Sequence, residues 1–359
     1  MALRSRTLTA LVTAAVAGAA LTAMAAGAMA AVSISGGATA NMSCSAGLCV
    51  AVAGEAVLNV TELQGRLASS SVRVATGSAA DDIAVEAPLA WPGPGGLTLD
   101  ARRSIRIEAR LSVGPVAALA LATNDGGAGG ALSFGPNGAV TFANLGARLT
   151  IDGSAYKLAN TVAALAADIG IDPAGNHALA NSYDARADGV YPAPPVTTTF
   201  AGTLEGLGNT IVGLSIDDTA DGDPVGLFQA NTPSSVVENL RLAGVDIKAA
   251  GNAVAGALVA SNRGLLRGDS ADGALLQGGK TGHASASSIL GGLVGVNDGE
   301  IAGSRASGTV TGKAPSVRVG GLAGVNHGVI RNSLATAATQ AGKGSVVAGL
   351  VAENFGSIS

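Results

Sequence analysis

The sequence contains few aromatic and few charged residues. Aromatic residues make up 3% of the chain and charged residues 13%, well below the roughly 25% charge that is usual. Because 48% of the residues are hydrophobic, the low charge does not indicate disorder, which combines low hydrophobicity with high charge. Lys and Arg form no cluster, so the composition excludes the basic surface of a nucleic-acid-binding protein. The 53 glycines favour short strands joined by tight turns.

Cysteine is also scarce, since the chain contains only Cys44 and Cys49. A metal site would need further Cys or His close by, and the surrounding sequence has none, so we predict neither a metal site nor a cofactor there. In an oxidising compartment, two cysteines with a four-residue spacer favour a small disulfide loop.

The first thirty residues predict that the protein reaches such a compartment. Arg4 and Arg6 precede an apolar stretch at residues 8–26, and Ala28-Met29-Ala30 is the small-x-small pattern that signal peptidase accepts. We therefore interpret residues 1–30 as a cleaved signal peptide. No later segment is apolar over a length that would span a bilayer, so we expect no transmembrane segment in the mature chain.

The C-terminal part of the sequence contains an internal repeat with the pattern Gly-Gly-Leu-Val-Gly-Val-Asn-x-Gly-x-Ile. In each copy Asn follows Leu by four residues, whereas successive copies are 28 to 35 residues apart. A fixed pattern at a variable spacing indicates one constant turn between loops that tolerate insertions. The copies lie at residues 226–231, 256–266, 291–301, 320–330 and 348–358.

Each copy has the pattern of a strand, a turn and a second strand, and one copy cannot bury its apolar face alone. We therefore predict an all-β fold, a right-handed parallel β-helix (β-solenoid) with glycine-rich turns. We expect the Leu to be buried, the Asn to adopt a left-handed backbone and hydrogen-bond along the stack, and the Gly to supply a positive φ. The predicted structural positions are Leu258, Asn262, Gly264, Leu293, Asn297, Gly299, Leu322, Asn326, Gly328, Leu350, Asn354 and Gly356.

Residues 31–197 differ from the repeats, but alternating apolar residues there also indicate a β-rich region. Two segments have helical spacing, residues 60–67, with Thr61 as the predicted cap, and residues 161–169. A proline-rich stretch at 192–195 marks the predicted boundary to the repeat domain.

The repeat domain is predicted to cover residues 198–359. It reaches Ser359 without the atypical capping repeat that usually ends a solenoid. Either its end is protected in another way, or the stack continues in a longer protein, which we favour.

The repeat resembles the GLUG motif of large bacterial surface proteins, and residues 200–216 are similar to the segment that precedes such motifs. Residues 149–158 and 178–185 are similar to parts of filamentous-haemagglutinin-like adhesins. The resemblance implies a secreted or surface-displayed protein of a Gram-negative bacterium that attaches to a host, a surface or other cells through an unknown receptor or glycan. Residues 31–55 do not show the N-terminal secretion domain of two-partner-secreted haemagglutinins, so the secretion partner and the route beyond the periplasm stay open.

The sequence shows no catalytic constellation. Its three histidines, His177, His283 and His327, have no recognisable partner nearby in the sequence. We therefore predict a structural and adhesive protein that is not an enzyme and uses no cofactor. Two alternatives stay open: a polysaccharide-degrading enzyme, because β-helices also carry such sites on their outer face, and a truncated passenger fragment of a larger exported protein.

Two segments are candidate binding sites between the repeats. An acidic group could bind Ca²⁺ through hard oxygen ligands, although its spacing does not match an EF-hand loop and a solvated loop is the simpler interpretation. An Arg-Gly-Asp tripeptide is a candidate adhesive loop, although a chance match is easily reached in a glycine-rich chain. The acidic group is Asp217, Asp218, Asp221 and Asp223, and the tripeptide is Arg267, Gly268 and Asp269.

Overall fold

The structure is a computed structural model that describes residues 30–279 and 287–359. The predicted signal peptide, apart from its last residue, and His283 lie outside these residues. The described chain is mostly β, with 50% of residues in strands and 7% in helices. It forms stacked, in-register parallel sheets, which confirms the prediction of a parallel β-solenoid.

The N-terminal part of the chain forms fourteen strands and the helix α1. These elements are, in chain order, β1 Ala31–Ser35, β2 Met42–Ser45, β3 Leu48–Ala51, β4 Ala56–Asn59, α1 Val60–Leu67, β5 Val72–Ala75, β6 Asp82–Val85, β7 Leu89–Trp91, β8 Gly96–Asp100, β9 Ile105–Ile107, β10 Arg110–Val113, β11 Ala118–Ala122, β12 Leu132–Phe134, β13 Ala139–Phe142 and β14 Arg148–Ile151.

These elements build a solenoid of three sheets, which we call the N-terminal solenoid. One sheet has the order β12-β9-β6-β1-β4, a second has the order β13-β10-β7, and β3, β5, β8, β11 and β14 lie side by side in the third. Alternate residues point inward, as in β10 and β11, because successive side chains of a strand point to opposite faces. The buried residues therefore form one continuous apolar core along the axis.

Helix α1 forms where the helical spacing predicted it, with Leu63 and Leu67 buried. The predicted cap at Thr61 is wrong. The capping residue is Asn59, whose side-chain oxygen accepts hydrogen bonds from the backbone N–H groups of Thr61 and Glu62. Asn satisfies the unpaired N–H groups of a first helical turn from an extended backbone, which Asn59 has.

The C-terminal part of the chain forms the remaining elements of the described residues. They are β15 Ser154–Ala159, α2 Val162–Ile171, β16 Asn176–Leu179, β17 Tyr183–Asp184, a 3₁₀ turn Ala185–Asp188, β18 Val190–Tyr191, β19 Thr203–Glu205, β20 Thr210–Val212, β21 Ser215–Asp218, β22 Pro224–Val225, β23 Phe228–Ala230, β24 Val236–Glu238, β25 Arg241–Ala243, β26 Asp246–Ala249, β27 Val254–Gly256, β28 Val259–Asn262, β29 Leu265–Arg267, β30 Ser270–Gly278, β31 Ile289–Gly291, β32 Val294–Asn297, β33 Glu300–Ala302, β34 Arg305–Gly312, β35 Arg318–Gly320, β36 Ala323–Asn326, β37 Val329–Arg331, β38 Leu334–Ala335, β39 Ala338–Ala341, β40 Val346–Ala348, β41 Val351–Asn354 and β42 Ser357–Ile358.

These elements form the C-terminal solenoid, in which each coil passes through four stacked sheets. Each of the last four repeats contributes residues to strands of three sheets, as residues 291–301 do to β31, β32 and β33. The repeat leucines stack inside the coil, since Leu258, Leu293 and Leu322 are fully buried. Leu350 is half-buried, because a neighbouring coil covers it on one side only.

The two solenoids share one long sheet of fourteen strands and meet at an antiparallel hairpin. Strands β14 and β15 pair in opposite directions around Asp152-Gly153, and all later strand pairs in this sheet are parallel. The core changes face at this hairpin: Leu158 packs in the N-terminal core, while its neighbour Ala159 packs in the C-terminal core. Leu207, which follows the proline-rich stretch, still packs in the N-terminal core. The two cores therefore overlap along the chain, and the boundary at the proline-rich stretch stays a prediction.

Candidate functional site

The repeat asparagines form a continuous hydrogen-bonded ladder inside the C-terminal solenoid. The amide nitrogen of Asn262 donates to the amide oxygen of Asn297 at 2.7 Å, and Asn297 donates in the same way to Asn326 at 2.7 Å. The ladder begins at Asn231 and ends at Asn354, with links of 2.8 and 2.6 Å. It satisfies polar groups that would be costly to bury alone, so its role is structural.

The turn beside the ladder differs from the prediction in its backbone. The asparagines end strands in extended conformation, and the glycines two residues later do not have a positive φ. A Cβ on Gly328 would instead overlap the carbonyl oxygen of Gly299 on the preceding coil. Glycine is therefore needed for the close approach of neighbouring coils. The left-handed residues lie one corner later, at Asn239, Gly268, Gly303 and Asn332.

The tripeptide considered as an adhesive loop belongs to this corner of the solenoid. Asp269 is 1% exposed, and its carboxylate accepts a hydrogen bond from the backbone N–H of Leu240 at 3.0 Å. Arg267 ends strand β29 and faces the carboxylate of Glu238 at 3.4 Å. A receptor that reads the Asp of an Arg-Gly-Asp loop cannot reach this carboxylate.

The acidic group proposed for Ca²⁺ does not converge either. Asp217 and Asp218 are adjacent in β21 and point to opposite faces, with Asp218 buried. Asp221 accepts a hydrogen bond from the backbone N–H of Gly251 at 3.1 Å, which orders the loop instead. Within the ranges that the structure describes, no three Asp, Glu, His or Cys side chains form a ligand set for a metal ion.

The cysteines and the two described histidines occupy separate places. The sulfur atoms of Cys44 and Cys49 are bonded across the β2–β3 hairpin. His177 is buried and its Nε2 contacts the carbonyl oxygen of Asp172 at 3.0 Å. His327 lies on the surface, with its Nδ1 at 2.8 Å from Asp298. Nothing brings these groups together into one site.

Sequence reasoning did not find a cluster of acidic residues where the two solenoids meet. Glu205 is fully buried, and its carboxylate accepts hydrogen bonds from the backbone N–H of Leu207 at 2.8 Å and the amide of Asn239 at 3.1 Å. Burial, and next the charge of Glu238 on the adjacent strand, hold the pKa of Glu205 well above its usual range. Burial likewise raises the pKa of Asp269. These carboxylates are enclosed, so a polymeric substrate cannot contact Glu205 in this conformation.

We expect Glu205→Gln to stabilise the protein at neutral pH and to leave it unchanged in acid. Below the usual carboxyl pKa, near 4.3, Glu205 is protonated in both the folded and the unfolded chain. As the pH rises above this value, Glu205 ionises in the unfolded chain but stays protonated in the folded protein. The free energy of unfolding therefore falls with pH, until the pH exceeds the raised pKa of the folded state. Thermal unfolding at about pH 3.5 and about pH 7.5, which lie on the two sides of the usual carboxyl pKa, measures the difference.

The expected gain at the higher pH is about 1 kcal/mol or more, which for a chain of this length raises the unfolding midpoint by roughly 1–2 °C per kcal/mol. Glu300→Gln is the matched control, because Glu300 is only half-buried and pairs with Arg331 at the surface. Equal shifts for both variants, or the same gain at both pH values, would show that the charge of Glu205 does not limit stability.

A concave surface with charged lining lies at the same junction, and we call it the junction cleft. It has a volume of about 420 Å³. Its floor is a row of side chains at one register position on four successive strands, β20, β25, β30 and β34. Its wall comes from the end of β12 and the loop that follows it, both in the N-terminal solenoid. The lining residues are Phe134, Pro136, Thr210, Asn239, Arg241, Gly268, Ser270 and Arg305.

Two guanidinium groups make the junction cleft positively charged. Arg241 donates hydrogen bonds to the carbonyl oxygens of Gly135 at 2.7 Å and Pro136 at 3.2 Å, and no carboxylate of the described residues pairs with it. Arg305 pairs with Asp272 at 2.7 Å. Burial, followed by the charge of Arg305, lowers the pKa of Arg241. The hydrogen bonds of Arg241 go to neutral carbonyl groups, and the charge of Asp272 offsets its own charge only in part. A partly buried cation in this setting favours an incoming anion.

The described residues form a two-part parallel β-solenoid with a positively charged cleft where the parts meet. Comparison with family models, with curated proteins and with solved structures found no match for this chain. The resemblance to GLUG-motif, haemagglutinin-like adhesins therefore stays a prediction. No helix in the described part of the chain has the length and hydrophobicity needed to cross a membrane.

Proposed function

We propose that this protein is an exported adhesive scaffold that attaches a bacterial cell to a host, a surface or other cells. The observation that carries the proposal is the contrast between the inside and the outside of the repeats. Inside each coil, Leu, Asn and Gly recur and are held in register. Outside, the turn position between Asn and Gly varies, with Arg263, Asp298, His327 and Phe355 in successive coils. A constant interior with variable exposed side chains suits a rigid support that displays binding surfaces.

Two further features support export to the cell surface. The first thirty residues have the pattern of a cleaved signal peptide. The Cys44–Cys49 bond is compatible with an oxidising compartment. Protease treatment of intact producing cells tests the location, since a surface-displayed protein is cut while a cytoplasmic marker stays whole. An uncut protein in intact cells would contradict surface display.

Attachment is tested with fluorescent beads coated with residues 31–359. We expect these beads to adhere to epithelial monolayers, to immobilised glycans or to bacterial cells several times more often than beads coated with an unrelated acidic protein. Adhesion to none of the three would contradict the proposal. Release of reducing ends or of unsaturated products from polysaccharides would instead favour an enzyme on the same fold.

A further inference from the structure

The junction cleft combines an apolar wall and a cationic floor, and the two come from different parts of the chain. Phe134 and Pro136 stand on the N-terminal solenoid, while Arg241 and Arg305 project from the C-terminal solenoid. The contact between them is direct, because the Arg241 guanidinium donates to two carbonyl groups of the wall. The wall therefore stands at a defined position above the two guanidinium groups.

The charges of the cleft are not balanced within the described residues. Two guanidinium groups face it, whereas Asp272, the carboxylate whose charge acts on both of them, already pairs with Arg305. Burial lowers the pKa of Arg241 most, and the charge of Arg305 lowers it further, because the two cations repel each other. One negative charge placed between them would relieve this repulsion and form charge-assisted hydrogen bonds with planar donors.

The remaining lining restricts the type of anion. Phe134 and Pro136 present an apolar surface, against which the C–H face of a sugar ring packs, and Thr210 lies beside it with its hydroxyl group. A volume of about 420 Å³ is within the usual range for a small-molecule site and is open at the surface to a longer chain. An inorganic anion would leave the apolar wall unused, whereas an acidic sugar would contact both surfaces.

We propose that the junction cleft binds a uronic acid residue of an acidic polysaccharide, with its carboxylate between Arg241 and Arg305 and its ring against Phe134. This proposal rests on the adhesive function proposed above and names its ligand class. The planar, singly charged carboxylate matches the fork of a guanidinium group. Binding requires both solenoids, because neither the wall nor the floor alone contains both features.

The test is titration calorimetry of the whole mature chain, at low salt, with oligosaccharides that contain different uronic acids. The probes are trigalacturonate, trimannuronate and a hyaluronan oligosaccharide, each compared with its methyl ester, which keeps the ring and removes the charge. We expect at least one acid to bind and its ester to bind far more weakly. Arg241→Ala and Arg305→Ala should each weaken binding about ten- to a hundredfold, and Phe134→Ala should weaken it without changing its salt dependence.

Arg331→Ala is the matched control, because Arg331 is also a surface arginine of the C-terminal solenoid that pairs with a Glu outside the cleft. Because Arg241 also holds the wall, Arg241→Lys and the thermal midpoint of every variant separate loss of binding from loss of structure. Failure of all three acids to bind, unchanged binding in Arg305→Ala, or stronger binding of a sulfated disaccharide or an acidic peptide would overturn the proposal. Bead adhesion that persists in Arg241→Ala and Arg305→Ala would leave the adhesive function standing and reject only this site.

Discussion

Replacing Asn297 by Asp is expected to unfold much of the C-terminal solenoid. Asn297 is fully buried; its side chain accepts one ladder hydrogen bond from Asn262 and donates the next to Asn326. An Asp carboxylate keeps the accepting role but cannot donate, so it would place a negative charge against the amide oxygen of Asn326. A buried charge without a partner costs several kcal/mol, and the loss of an adjacent hydrogen bond adds about 1–3 kcal/mol.

Far-ultraviolet circular dichroism during thermal unfolding measures this effect. Asn354→Asp is the matched control, since Asn354 has the same repeat position but is exposed and is linked to one neighbouring asparagine only. We expect a loss of strand signal or a strongly lowered midpoint for Asn297→Asp and a small change for Asn354→Asp. An Asn297→Asp protein that unfolds at the wild-type temperature would mean that the ladder contributes little to stability.

The second large effect is expected for Gly321→Ala, a change that adds a single methyl group. The new Cβ would overlap the carbonyl oxygen of Gly349 on the next coil. Backbone cannot move aside as a flexible side chain does, so the two coils must separate and lose the hydrogen bond from the Gly321 N–H to the carbonyl of Ala348. Overpacking of this kind usually costs about 1–3 kcal/mol, and more where the backbone is rigid.

Gly349→Ala provides an unusually close control, because Gly349 has the same position in its repeat and an added Cβ there meets nothing within 4 Å. At such a site Ala is neutral or stabilises slightly, since it reduces the freedom of the unfolded chain. Hydrogen exchange of the last two coils distinguishes the variants. Equal protection in Gly321→Ala and Gly349→Ala would refute the role of glycine in coil spacing.

The repeats could be predicted because their chemistry is local. The pattern of Leu, Asn and Gly shows which side chains must be buried, and Leu293 and Leu322 are indeed in the core. The conformation of the turn was predicted less well. Asn and Gly are typical of left-handed backbone. In this turn the Asn instead forms side-chain hydrogen bonds and the Gly allows the close approach of the next coil. The sequence pattern alone does not distinguish these roles from a left-handed turn.

The candidate site could be predicted only in part. Arg305 is the eighth residue after the ladder residue Asn297, so an alignment of the repeats would have placed it on the outer face of its coil. Arg241 follows Asn231 at a longer spacing, and only the observed register puts it in the same row. Nothing in the sequence around Phe134 indicates that it belongs to this site, because its position beside the two arginines depends on the hairpin that joins the solenoids.

The Arg-Gly-Asp tripeptide is a motif that the sequence shows clearly but whose Asp the fold buries. The motif is present in the sequence, but Asp269 stacks inside a corner and accepts the N–H of Leu240. A short sequence motif carries no information about burial, and burial decides whether a receptor can reach a carboxylate. The same corner repeats one coil later, where the Ser304 hydroxyl accepts a hydrogen bond from the N–H of Asp269.

The sequence by itself determined that this chain is a stack of parallel coils, since each repeat has an apolar side that only another repeat can cover. It also determined the buried leucines and the asparagine stack. Tertiary structure alone decided where the chain changes direction and core face, at Asp152-Gly153. Distant residues meet there, so the acidic cluster at Glu205 and the junction cleft follow from contacts across the two solenoids, which no local pattern contains.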